Sequence, residues 1–258
     1  MQDSPFQPRL MVLPTPGDVA QKAAALIAGA VRTGRARVLG LATGRTPLGV
    51  YTILSQEMRA GTLSLAGTTT FNLDEYAGIP ADHPSSYRSY MNRHLFAASD
   101  IDMARTHLPD GMAPDPVRAA ADYEAMIETA GGIDLQILGI GQNGHIGFNE
   151  PGSRFDSRTR IVPLAPSTRA ANAGDFPGGT VPEKAVTMGI GTILAAKKIL
   201  LLASGPAKAE ALAAMLEGPV TPACPASALR LHPDATVICD TAAAARLSPA
   251  TRGAAPAP

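Results

Sequence analysis

Between Asn143 and Glu150 the chain places four polar side chains, Asn143, His145, Asn149 and Glu150, among Gly141, Gly144 and Gly147. A carboxylate five residues from an imidazole can fix the ring's tautomer and raise its basicity, which is what proton transfer needs. A lone histidine after an apolar run is ordinarily a core histidine satisfied by backbone. Here the glycines let the backbone turn tightly and come close to a ligand, which favours a functional histidine. No second histidine lies at a metal-ligand spacing, so the sequence gives no metal site.

A second carboxylate stands elsewhere, in Phe71-Asn-Leu-Asp74-Glu75. Adjacent acids usually divide into one solvated and one capping a helix. Asp74, at the end of a β-rich run, reads instead as a base: a carboxylate and a histidine from different strands suit proton transfer at two atoms of one substrate. Two further stretches, Thr43-Gly44-Arg45-Thr46 and Ser204-Gly-Pro-Ala-Lys208, combine flexible residues, hydroxyls and a cation at strand-to-helix turns. Helix N-termini offer free N–H groups and the positive end of the dipole, so such turns bind phosphate. Neither is a Walker sequence, but two in one chain point to a phosphorylated small molecule.

These groups need elements to hold them. Leu135–Ile140 has the length and apolar content of a buried strand, and it leads directly into the glycine turn. Further strands are expected at 10–13, 36–42, 68–73, 158–163, 198–203 and 235–239, with helices between them. Asp18 and Thr46 are expected as helix caps. Alternating strands and helices predict one α/β domain over 1–247, with a mostly parallel sheet covered by helices on both faces. The tail from Ser248 to Pro258 reads as disordered. Gly139-x-Gly141-x-x-Gly144 formally matches a dinucleotide fingerprint, but the residues after it make a poor helix and the motif lies mid-chain, so no nicotinamide or flavin is expected.

Composition excludes other classes. Lysine plus arginine equals aspartate plus glutamate at 22 each, tryptophan is absent and aromatics make up 4%. That leaves neither a field nor a stacking platform for nucleic acid. No run reaches the ~18 apolar residues of a membrane span, and the N-terminus has no secretory apolar region. Two cysteines, Cys224 and Cys239, suit buried apolar filling. The expectation is a soluble cytoplasmic protein.

Thr43-Gly-Arg-Thr-Pro-Leu, Phe71-Asn-Leu-Asp-Glu-Tyr, His83-Pro-Ser-Ser-Tyr87, Gly139-Ile-Gly-Gln-Asn-Gly-His-Ile-Gly-Phe-Asn-Glu-Pro151, Ser157-Arg-Thr-Arg160 and Thr187-Met-Gly-Ile-Gly191 together resemble the glucosamine-6-phosphate deaminase family. The segments come in that family's order, and the Thr-Gly-x-Thr-Pro turn is shared with the related 6-phosphogluconolactonases. The resemblance implies a Rossmann-like fold of that type and conversion of glucosamine 6-phosphate and water to fructose 6-phosphate and ammonia, with no metal or organic cofactor. It implies that Asp74 moves a proton between C2 and C1, and that His145 opens the sugar ring with Glu150 and Asn143 behind it. Thr43, Gly44, Thr46, Arg169 and Lys208 would hold the phosphate, beside the cation Arg45 read from the turn.

Asn143 stands where some members carry aspartate. Hexameric members make a homo-oligomer compatible with the resemblance, and they bind N-acetylglucosamine 6-phosphate at an allosteric site after the glutamate. Ser153 and Arg160 match that site, whereas Arg154 and Val162 replace a serine and a lysine, so no activation is expected. Two rivals are a lactone hydrolase on the same fold and a non-catalytic sugar-phosphate sensor. The hydrolase needs an activated water but no base at C2, so Asp74 decides against it; the sensor would have no need of Asp74, His145 and Glu150 together.

Overall fold

The computed structural model describes residues 6–253 apart from Pro177. In chain order the elements are β1 (Arg9–Leu13), α1 (Pro16–Arg32), β2 (Val38–Leu41), α2 (Leu48–Arg59), β3 (Thr69–Asn72), β4 (Asp74–Tyr76), α3 (Tyr87–His94), β5 (Thr106–His107) and α4 (Pro116–Thr129). There follow β6 (Leu135–Gly139), β7 (Arg160–Pro163), α5 (Pro166–Asn172), β8 (Lys184–Thr187), α6 (Ile190–Leu194), β9 (Ile199–Ala203), α7 (Ala209–Glu217), β10 (Ala235–Asp240) and α8 (Pro249–Gly253).

Seven strands form a parallel sheet in the order β1-β10-β9-β6-β2-β3-β5. Side chains alternate across it. Leu39 and Leu41 of β2 enter one apolar cluster with Ile27, Tyr51 and Met91 from the helices on that face. Val38, Phe71 and Leu138 enter the opposite cluster with Tyr123, Leu212 and Met215. Every residue of β9 is buried, as a strand covered on both faces requires. From β2 the chain builds outward through β3 to β5, and from β6 outward through β9 and β10. The order therefore reverses between β2 and β6, and the carboxyl ends of those two strands flank the reversal, which is where open α/β sheets bind ligands.

A second sheet was not legible in advance. After β3 the chain leaves the main sheet, and Asp74 opens β4, which pairs antiparallel with β8 beside β7. Tyr76, Phe148, Val162, Leu164, Phe176 and Ala185 pack in its own small core.

The local expectations need three corrections. Thr15, not Asp18, caps α1: its hydroxyl accepts from Asp18 N, while the Asp18 carboxylate accepts from Thr15 N, a reciprocal box. Thr46 caps nothing, because α2 starts one residue later, after Pro47, without a side-chain cap. The tail expected to be disordered from Ser248 instead forms α8: the Ser248 hydroxyl accepts from Thr251 N, and Glu217 takes Ser248 N. Residues 254–258 lie outside the described ones. Both cysteines are free and buried. Among the described residues no helix is long and apolar enough to cross a membrane.

Candidate active site

The turn after β6 builds the first half of the site. Gly141 N donates to His145 O and Gly144 N to Gly141 O, with Gly144 at φ +82°. The imidazole of His145 lies directly on Gly141, where a Cβ would stand 2.3 Å from Cε1. Only glycine leaves the ring that place. Asn143 braces the turn from both ends of its amide: Oδ1 accepts from His145 N at 3.2 Å, and Nδ2 donates to Glu150 Oε2 at 2.7 Å. His145 Nδ1 faces the same Oε2 at 3.5 Å, at the outer limit of a hydrogen bond, and has no nearer partner among the described residues. Thr168 on α5 donates its hydroxyl to Glu150 Oε1.

Burial opposes the charge of Glu150. The groups from His145, Thr168 and Asn143 outweigh it and hold the carboxyl down at about 2. An ionised carboxylate therefore sits behind the imidazole. It can steady one tautomer and stabilise the imidazolium when the ring takes a proton.

Asp74 meets this turn from β4. It is 5% exposed and takes no side-chain hydrogen bond among the described residues. Burial, reinforced by the neighbouring charge of Glu75, raises its carboxyl to about 8. Gly147, two residues past His145, has φ +56°, and a Cβ there would lie 2.9 Å from Thr187 Oγ1 and 3.4 Å from Asp74 Oδ2. The glycine lets the two halves of the site close together. Buried Asn149 anchors the same turn to the small sheet, donating to Ile146 O and Met188 O and accepting from Arg160.

Glu75 is not the solvated member of an acidic pair. It is buried, and its carboxylate accepts from the backbone amides of Tyr76, Tyr87 and Arg88. Burial raises its carboxyl, and those amides together with the Arg88 charge oppose the rise.

Two turns supply cations. Thr43–Thr46 follows β2, with Gly44 at φ +98° and its carbonyl accepting from Tyr90 Oη at 2.6 Å. Thr43 lies beside the Tyr87 phenol without closing a regular hydrogen bond. On the far side of β6, Gly205 turns at φ +84° before a 3₁₀ turn, Pro206–Lys208, that leads into α7. Burial lowers the Lys208 ammonium, and the charge of Arg45 lowers it further, so each cation lies within reach of the other's field. Neither forms a salt bridge among the described residues. Arg169, next to Thr168 on α5, buries its Nε without a hydrogen-bond partner among the described residues. Thr46 is partly exposed and makes no side-chain hydrogen bond among the described residues.

The turn after β6 and the start of β4 in the small sheet thus bring Asp74, Asn143, His145 and Glu150 together around Gly147, and the turns after β2 and β9 bring Arg45 and Lys208 within reach of one another's charge. Sequence reasoning missed Thr168, Glu75, Tyr87 and Tyr90, whose partners lie far along the chain. Gly147 carried a local signal, a third glycine in the turn.

The sequence profile of the glucosamine-6-phosphate isomerases/6-phosphogluconolactonase family matches residues 15–238. The chain belongs to that family. Among its relatives, the glucosamine-6-phosphate deaminase of Shewanella loihica is 51% identical over 93% of this chain and 90% of its own length. That of Rhodopirellula baltica is 51% identical over 92% and 94%. A solved monomeric glucosamine-6-phosphate deaminase superposes with a TM-score of 0.89 at 47% identity, covering 92% of this chain and 99% of its own. The 6-phosphogluconolactonase from Trypanosoma cruzi, at 22% identity and a TM-score of 0.78, shares the family's fold.

Proposed function

We propose that the protein deaminates glucosamine 6-phosphate, with isomerisation, to fructose 6-phosphate and ammonia. The observation that carries this is the meeting of Asp74, a buried carboxyl raised to about 8, with the His145–Glu150 pair across Gly147. A lactone hydrolase needs an activated water but no base at C2, so a second, separate proton-transfer carboxyl favours the deaminase. The relatives named deaminases, about half identical over most of the chain, support the same reading.

The phosphate sits between Arg45 and Lys208, where Thr43, Gly44 and Thr46 offer hydroxyl and backbone donors and Arg169 adds a third cation. His145 takes the proton of the O1 hydroxyl and returns one to the ring oxygen, which opens the ring. Glu150, steadied by Asn143 and Thr168, balances the imidazolium meanwhile. Asp74 then removes the proton from C2, leaving an enolamine, and, once its carboxyl proton has exchanged with solvent, protonates C1. Water adds at C2 and ammonia leaves, completing the ketose. A base that begins with its pKa near the working pH is basic enough to take a carbon-bound proton and acidic enough to return it.

We read the side chains named as one chain's own site, a reading compatible with a homo-oligomer. We also read residues 1–247 as one functional domain, because Thr43 and Lys208 serve one phosphate, and we place the reaction in the cytoplasm.

The test is ammonia release from glucosamine 6-phosphate, glucosamine and galactosamine 6-phosphate, with solvent deuterium followed into C1 of the product. The expected result is ammonia from the phosphorylated glucosamine, little from free glucosamine, and one deuterium at C1. Hydrolysis of 6-phosphogluconolactone without ammonia release would overturn the proposal.

A further inference from the structure

Glu75 has no part in the chemistry above, yet it is a buried carboxyl adjacent to the proposed base. Along β4 the side chains alternate. Asp74 looks toward Gly147, and Glu75 looks the other way, to the start of α3. There Oε1 accepts from Tyr87 N at 2.8 Å and from Tyr76 N at 2.9 Å, and Oε2 accepts from Arg88 N at 2.9 Å. Three N–H donors on two oxygens form the acceptor pattern of an ionised carboxylate. Tyr87 N and Arg88 N are first-turn amides with no partner inside the helix. Ser86 caps Ser89 N, and Glu75 takes the other two.

The helix fixed in this way reaches the phosphate turn. Tyr90, one turn along α3, donates to Gly44 O at 2.6 Å, and Tyr87 stands beside Thr43. Arg88 ties the same turn of helix to β5 through Thr106 Oγ1 and O. A continuous run of short bonds therefore joins the residue next to the base with the loop expected to hold the phosphate.

We infer that Glu75 is a positioning residue, whose carboxylate locks α3 so that the phosphate turn and Asp74 keep one fixed separation. The inference rests on reading Asp74 as the base and Thr43–Thr46 as a phosphate turn. Its charge has a second effect. The titratable groups around the Asp74–Glu75 pair are Tyr76 on β4, Tyr87 and Arg88 on α3, and Tyr123 on α4. The phenols are held above their ordinary range by burial and stay neutral, so the charges around the pair are Glu75 and Arg88 and, on the turn beyond Gly147, His145 with the ionised Glu150 behind it. Burial is the larger cause of Asp74's raised carboxyl, and the adjacent Glu75 charge adds to it.

A plain helix cap would affect stability and turnover without moving the titration of Asp74, and pH profiles separate the two roles. In Glu75→Gln one amide loses its acceptor to an NH₂ group and the charge disappears. The acid limb of kcat/KM for glucosamine 6-phosphate should move down by about one pH unit, the scale of a lost neighbouring charge. Turnover should fall by about tenfold, as for a weakened and displaced base. Tyr90→Phe, which cuts only the contact with Gly44, should raise KM several-fold with the limb at its wild-type pH. If Glu75→Gln does not fold, Glu75→Asp, which keeps the charge but withdraws it from the α3 amides, should lower kcat with the limb unmoved. An unmoved limb in Glu75→Gln, or wild-type turnover in Glu75→Asp, overturns the inference. No ammonia from the wild-type enzyme would overturn the functional reading, and this one with it.

Discussion

Asp74→Asn separates the energetic cost of the proposed base from its use. Folding moves this carboxyl from 3.8 to about 8, because it is buried with Glu75 beside it and without a compensating donor. Between those values the folded chain holds a proton that the unfolded chain releases, so stability falls as pH rises through that window. At pH 7 about three units of ionisation are forgone, which at ~1.4 kcal/mol per unit costs about 4 kcal/mol. Asparagine is nearly isosteric and has no such slope, but its buried amide lacks partners and costs about 1–2 kcal/mol. The net gain for Asp74→Asn is then about 2 kcal/mol at pH 7, near zero at pH 5, and larger at pH 8.

For a chain of this size each kcal/mol moves Tm by about 2–3 °C, so the variant should melt about 5 °C above wild type at pH 7. Calorimetry or circular dichroism at several pH values between 5 and 8 measures the divergence. Turnover should fall about a hundredfold or more in the same variant, with substrate binding retained. Loss of activity with a gain in stability is the mark of a carboxyl held in place for chemistry. A variant that melts below wild type at pH 8, or a gap that stays constant from pH 5 to 8, would refute the burial argument. Solvent deuterium entering C1 at the wild-type rate would refute the role.

Three further outcomes are expected. Lys208→Ala should raise KM at least about tenfold with a smaller change in kcat, because phosphate charge is alike in ground and transition states; steady-state kinetics with unchanged KM and reduced kcat would contradict it. Gly141→Ala puts a methyl 2.3 Å from Cε1 of His145, so the ring must leave its place and kcat should drop about a hundredfold with KM little changed; a normal kcat would mean that the imidazole is not used where it lies. The rate should be hyperbolic in substrate and indifferent to N-acetylglucosamine 6-phosphate below inhibitory levels, because Arg154 is turned to Asp156 and Val162 is buried in the small core; a sigmoidal curve that this compound made hyperbolic would show otherwise.

What the sequence displayed depended on how far apart the interacting residues stand. Strands such as Ile199–Ala203 are buried on both faces and announce themselves as unbroken apolar runs. The His145 turn was legible because its glycines, its imidazole and its carboxylate fall within a dozen residues. The small sheet was hidden because β4 has three residues and draws its partner from Ala185–Thr187, which no local pattern can announce. The same distance hid the side chains that tune the chemistry. Thr168 reaches Glu150 from 18 residues away, and Glu75 takes amides 12 and 13 residues ahead. Asp74 itself was found as a carboxylate at a strand's end, but its basicity could not be read there. That depends on burial under Gly147, on the missing donors and on Glu75's charge, all set by how β4 leaves the main sheet. Residue types locate the reacting groups, whereas their strength as acids and bases is a property of the packing between segments distant in the chain.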